Sequence, residues 1–342
     1  YLTLGGELAA VRTGVLAPIY LELVKVRNQY AASKGYDDYV QYAYQTVYGR
    51  DYTPEEAALL HRADKALLPR LESELLIAPA RRLSSLSPVR LSSLEDMTQE
   101  EVLDAVEPYM DAVSSEYREL YGYMRDNGLY DLDILASSST LGVTVSLPAY
   151  RSAYILSSAQ GSYLDVKTLI HEFGHFLNSY AVPSDLIFGA ADYEICEMQS
   201  IGMEFMATHW YEELFGPDTA RMLLLDSFFN SIINVMDGAM FDEFLQRVYA
   251  EEDLTKERVC EIYAELYKEY GNDVYDGYDK EWISVPHNFD SPFYYISYCM
   301  ATIPVLGLYS ELQTSPEAAA DTYMRLVSMD PEIYYSTEVV SE

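Results

Sequence analysis

The chain has 342 residues, 49% of them hydrophobic, and a net charge of −33 from 22 basic and 55 acidic residues. That is enough apolar material for one large core or two moderate ones, while so acidic a field repels phosphate backbones and excludes nucleic acid as a partner. The longest apolar stretches, such as residues 301–308, fall far short of the ~20 residues needed to cross a bilayer, so no membrane span is expected.

In chain order, residues 7–34 carry apolar residues at helical spacing and end near Gly35. No basic-then-apolar leader precedes them, and Tyr1 in place of Met suggests a processed form or an excised piece. Thr53-Pro54-Glu55-Glu56 is a helix start: Thr53 caps, Pro54 fits the first turn and Glu56 completes a capping box. Residues 79–94, rich in Ser, Arg and Pro, read as a connector, and Thr98 with Glu101 repeats the box before another helix. Residues 140–160 break the helical pattern with β-branched and aromatic residues around Pro148, which predicts a small antiparallel sheet. Helix resumes at Leu164, and a second helix covers roughly 190–213. Thr255 opens a helix ending near Gly271, and Ser315-Pro316-Glu317 opens the last. Domain organisation is expected to be one catalytic region over 1–342, with a helical part at 1–135, the sheet at 136–162 and a second helical part at 163–342.

The chemistry is carried by His171-Glu172-Phe173-Gly174-His175. Histidines four apart on a helix share a face, so their imidazoles can bind one zinc ion at ~2.0–2.1 Å. Glu172 then projects beside the metal-bound water and can take its proton. The pattern uses two of only five histidines in the chain, which makes a chance occurrence rare. Two histidines need a third protein ligand, and no third histidine follows at close spacing. On the next helix Glu197, Ser200 and Glu204 fall at i, i+3 and i+7, on one face. Acids among Ile195, Met198, Ile201, Met203 and Phe205 are costly to bury without partners, and a metal with its histidines would supply them. Glu197 is therefore assigned as third ligand, with Glu194 as its rival, and Glu204 as the acid that orients one histidine. His61 and His209 lack such a setting and read as surface or satisfied core residues.

Cys196, Cys260 and Cys299 are too few and too scattered for a disulfide framework; their helical, apolar context predicts buried free thiols. The 33 tyrosines suit a wide, wet cleft, although abundance alone does not require one. Downstream, VPHNFDSPFYYISYCM places His287 before Tyr294, Tyr295 and Tyr298. Such a cluster is either an aromatic core or a set of donors for the oxyanion formed when water adds to an amide.

Four stretches resemble the oligoendopeptidase F and thimet oligopeptidase family of zinc peptidases. They are LVKVRNQYAASKGYDDYVQYAYQ (23–45) with the following DYTPEE, then AYILSSAQGSYLDVKTLIHEFGH, EMQSIGME (197–204) and PHNFDSPFYYISY. The resemblance implies a mainly α, zincin-like (gluzincin) catalytic lobe with a small antiparallel sheet before the zinc helix. It also implies one Zn2+ per chain on His171, His175 and Glu197, and Glu172 as base. Ser200 and Glu204 would support the ligands. His287 and Tyr298 would contact substrate and oxyanion, with Tyr294 and Tyr295 as further members of the group. It implies a two-lobed fold with a deep channel that admits short peptides, a sheet edge near 151–158 that pairs with extended substrate, and a cytoplasmic location. The family's additional N-terminal helical region has no counterpart here, and Asn178 stands where many relatives have another histidine. The reading is a zinc endopeptidase acting on short unfolded peptides. An exopeptidase that grips a peptide terminus through a basic residue such as Arg151, or an inactive zinc-bearing peptide-binding module, are the alternatives.

Overall fold

A computed structural model describes residues 2–71, 96–132, 142–159, 161–182, 192–272 and 274–341; the connector expected at 79–94 lies outside them. The chain begins with α1 (Leu2–Ser33), α2 (Tyr39–Tyr42) running into a π-helical turn at Ala43–Val47, and α3 (Pro54–Leu71). Next come α4 (Gln99–Val113), α5 (Ser115–Asp126) and the strands β1 (Tyr130–Asp131), β2 (Gly142–Leu147) and β3 (Ser152–Ser157). The remainder is α6 (Tyr163–Ala181), α7 (Tyr193–Ala207), α8 (Tyr211–Phe215), α9 (Pro217–Ala250), α10 (Lys256–Glu269), α11 (His287–Asp290), α12 (Tyr295–Thr314), α13 (Pro316–Val327) and α14 (Ser336–Ser341). The fold is thus mainly helical, as expected. The helix opened by Ser315 is followed by one more, whose start Ser336 is held by its backbone N–H donating to Asp192 Oδ2 at 2.9 Å.

The local signals act as read. Thr53 and Glu56 exchange hydrogen bonds, Thr53 N to Glu56 Oε2 at 2.7 Å and Glu56 N to Thr53 Oγ1 at 3.2 Å, and Thr98 and Glu101 form the same box.

Two compact units are present, each with its own core: Tyr1–Arg81 with Asn230–Met300, and Arg82–Phe229 with Ala301–Glu342. In the first, Tyr20, Tyr44, Phe244 and Trp282 are almost wholly buried. In the second, Leu103, Tyr121, Phe173, Phe176 and Tyr323 form the centre. Many tyrosines are therefore core rather than cleft residues; Tyr121 Oη donates to Leu103 O at 2.9 Å, Tyr323 Oη to Gln199 O at 2.7 Å and Tyr44 Oη to Asp242 Oδ1 at 2.6 Å. Of the thiols expected to be buried, Cys299 is, whereas Cys196 and Cys260 are half-buried; all three are free.

The sheet belongs to the second unit and has the order β1-β3-β2. β2 and β3 form the expected antiparallel hairpin, with Thr144 opposite Ile155, and β1 adds in parallel through Tyr130 and Ile155. The edge expected near 151–158 is instead the central strand, because β1 occupies its far side. Among the described residues β2 is the edge beside it. The pleat exposes Val143 and Val145 and turns Thr144 inward.

Candidate metal centre

The helix that carries the motif is started by a capping box: Ser162 Oγ accepts from Leu164 N at 3.2 Å while Asp165 Oδ2 accepts from Ser162 N at 2.5 Å. From there α6 is regular, so His171 and His175 stand one turn apart on one face, ring centroids 5.1 Å apart and planes at 81°. The partner helix α7 is capped by Asp192, whose Oδ1 accepts from Ile195 N at 3.0 Å. The two helices approach closely at Gly174, where a Cβ would lie 2.7 Å from Ser200 Cα and 2.8 Å from Gln199 O. A glycine between the two histidine positions lets the backbones meet, and that contact delivers Glu197. Its Oε2 lies 3.4 Å from His171 Nε2, and one ligand atom from each of His171, His175 and Glu197 falls within 4.8 Å of the others.

Two members of this trio, His171 and Glu197, are held from behind. Glu204 Oε1 is 2.8 Å from His171 Nδ1, which leaves Nε2 aimed at the centre. Lys167, one turn before His171, sits 3.9 Å from Glu204 Oε2 and 3.3 Å from Asp226 Oδ2. Ser200 Oγ donates to Glu197 Oε2 at 3.2 Å and to its backbone carbonyl at 3.1 Å. Glu172 is nearly buried, 4% exposed, and Thr144 Oγ1 donates to its Oε2 at 2.7 Å and to its backbone carbonyl at 2.9 Å. A Cβ at Gly142 would come within 2.5 Å of Glu172 Oε1, so the sheet edge leaves room for this carboxylate only because residue 142 is glycine.

The donor set fits a divalent cation. Burial works against a charged His171, yet the hydrogen bonds it donates to Glu197 and Glu204 outweigh it and raise its pKa well above the usual imidazole value. Burial depresses His175 to about 4, keeping that ring neutral and able to ligate. Burial also raises the Glu172 carboxyl. The buried acids thus favour positive charge at the point where two imidazole nitrogens and a carboxylate oxygen converge, and that chemistry is the one that borderline-soft zinc prefers.

The structure brings together His171, Glu172, His175, Glu197, Ser200 and Glu204. Glu194 is wholly buried beside Asp192 and stays outside the trio. His61 is a satisfied core residue, its Nε2 2.9 Å from Asp242 Oδ2, and His209 is an exposed ring against Trp210. Asn178 donates to Val327 O at 2.8 Å and Met329 O at 2.9 Å, a structural role. His287 and the tyrosines lie in the other unit as one aromatic group. The His287 ring is 5.2 Å from Tyr294, 5.0 Å from Tyr295 and 6.5 Å from Tyr298. Tyr295 and Tyr298 share the first turn of α12, whereas Tyr294 precedes the helix and still reaches Tyr298 at 5.3 Å. Sequence reasoning passed over Thr144, Gly142, Lys167 and Gly174. Of these the two glycines, Gly142 in the expected sheet and Gly174 inside an otherwise strong helix, carried a local signal of close approach.

Residues 139–323 match the model of peptidase family M3. The chain belongs to that family, one of metallopeptidases. It is 24% identical over 239 residues to oligopeptidase PepF of Bacillus subtilis, covering 67% of this chain and 35% of that protein. An oligoendopeptidase F homolog of Borreliella burgdorferi is 25% identical over 184 residues, 51% of this chain and 31% of its own length. The chain therefore spans about a third of these curated relatives. A solved structure of PZ peptidase A with inhibitor 2 shares the fold with a TM-score of 0.82 at 22% identity, over 95% of this chain and 60% of that one. Among the described residues no helix is long and apolar enough to cross a membrane.

Proposed function

We propose that the chain is the zinc-bearing catalytic part of a peptidase that hydrolyses internal bonds of short, extended peptides. The carrying observation is the convergence of His171, His175 and Glu197 with the unliganded Glu172 carboxylate adjacent in sequence and pinned by Thr144. These three residues would hold one zinc ion, which when bound supplies Lewis acidity for the scissile carbonyl and lowers the pKa of a water toward ~7. Glu172 accepts the proton of the attacking water and then delivers it to the leaving amine. Thr144, by occupying Oε2, fixes the rotamer from which Oε1 works. The β2 edge offers backbone hydrogen-bonding groups to an extended substrate, and its outward Val143 and Val145 give that strand an apolar outer face. Tyr298, assisted by His287, is given the oxyanion-donor role on the strength of the family resemblance. Short peptides are the proposed substrates because they reach the extended form without unfolding. The relatives' names, oligoendopeptidase F and oligopeptidase, support that choice.

The test is Glu172→Gln, assayed on a mid-length peptide with cleavage positions mapped by mass spectrometry and zinc measured in parallel. The parent should cut internal bonds, lose turnover to a chelator and regain it with zinc. The variant should keep one zinc per chain and lose at least about 10³-fold in kcat. Parental turnover by the variant would refute the mechanism. Release of single residues or dipeptides alone would refute the endopeptidase assignment.

A further inference from the structure

We infer that Arg50 is a positioning residue for the His287/Tyr294/Tyr295/Tyr298 group; this rests on the reading that the group acts on substrate. The group flanks the turn between α11 and α12, with His287 opening α11, Tyr294 ending the turn and Tyr295 and Tyr298 on the first turn of α12, and that turn is strained. Phe293 has φ 73°, a left-handed conformation that a bulky residue rarely adopts. Such a residue persists only where its surroundings over-determine it.

Those surroundings come from the first fifty residues and α9. The Phe293 ring is wholly buried, with ring centroids 5.5 Å from Tyr249, 6.0 Å from Tyr44 and 6.3 Å from Tyr39. Tyr48 Oη donates to Pro292 O at 3.0 Å. Arg50 Nη2 donates to Phe293 O at 2.7 Å and also to Ser297 Oγ at 3.1 Å. One nitrogen thus ties the strained residue to the first turn of the helix that bears Tyr295 and Tyr298. The guanidinium is itself fixed: it is 7% exposed and lies over the rings of Tyr48 at 4.5 Å and Tyr44 at 4.6 Å. Its backbone N–H donates to Tyr44 O at 2.9 Å, beyond the π-helical turn that closes α2. A planar fork held between aromatic faces defines direction as well as charge. Lysine, a flexible point charge, keeps the charge and loses the direction.

Arg50→Lys should leave zinc at one per chain and KM within about twofold, while lowering kcat by roughly ten- to a hundredfold, as expected for a misplacement of about 1 Å. Ser297→Ala, a smaller change in the same tie, should lower kcat in the same sense by a few-fold, about 1 kcal/mol for one hydrogen bond. Tyr298→Phe supplies the reference, and the double variant Arg50→Lys/Tyr298→Phe should be no slower than Tyr298→Phe alone. Additive losses, or parental kcat in both Arg50→Lys and Ser297→Ala, would overturn the positioning role. Parental kcat in Tyr294→Phe, Tyr295→Phe and Tyr298→Phe alike would show instead that the group is not part of the chemistry, and the inference would fall with that reading.

Discussion

The candidate metal trio and the candidate aromatic group have their side chains fixed in opposite ways. The trio stands on regular helix. His171 and His175 need only the α-helical repeat, and Glu197 needs one helix contact, at Gly174. The backbone there is regular helix, and His171 and Glu197 each have a hydrogen-bonding neighbour, Glu204 and Ser200. The aromatic group flanks a turn with a left-handed phenylalanine, held by Arg50, Tyr48 and buried rings. Regular geometry confers precision from local rules, while the strained turn has it only as long as distant residues supply it. Disturbing the first region should therefore cost metal, and disturbing the second should cost turnover with metal retained.

Gly174→Ala should break the first region most severely. Its Cβ would enter the Ser200 backbone, so α6 and α7 must separate at a cost of about 1–3 kcal/mol or more. Thermal unfolding should show a lowered Tm, and the zinc content should fall toward zero. Zinc retained in full would show that the helix contact does not deliver Glu197. Glu204→Gln is milder. It keeps the shape and removes the charge behind His171, and zinc affinity should weaken about 10- to 100-fold by competition titration with a chelator. An unchanged affinity would remove Glu204 from the centre. The smallest effect is expected from Thr144→Val, which deletes the donor to Glu172 Oε2 without touching a ligand. Losing one hydrogen bond to a charged group, about 1.5–3 kcal/mol at most, should lower kcat roughly tenfold at unchanged zinc content. Weakened zinc binding in that variant would blur the separation between holding the base and holding the metal.

The helices were legible because capping boxes such as Thr53/Glu56 and Thr98/Glu101 are closed within four residues. The hairpin was legible from its β-branched residues, yet which strand is the edge was not. That depends on β1, two residues long and paired with Ile155 from 25 positions away. The helix opened by Ser315 is not the last for the same reason: the further helix begins at Ser336, whose backbone N–H donates to the distant Asp192 Oδ2. Thr144 and Arg50 were invisible, since nothing in their local sequence reveals that one holds Glu172 and the other Phe293.

By itself the sequence singled out His171 and His175 as candidate ligands, Glu172 as the candidate base and the face carrying Glu197 and Glu204, because helical periodicity converts spacing into direction. Tertiary structure alone decided that Thr144 reaches the Glu172 carboxylate and that a strained residue, Phe293, precedes the helix bearing Tyr295 and Tyr298. Those outcomes depend on where two segments far apart in sequence come into contact, and the separation of residues along the chain places no limit on that.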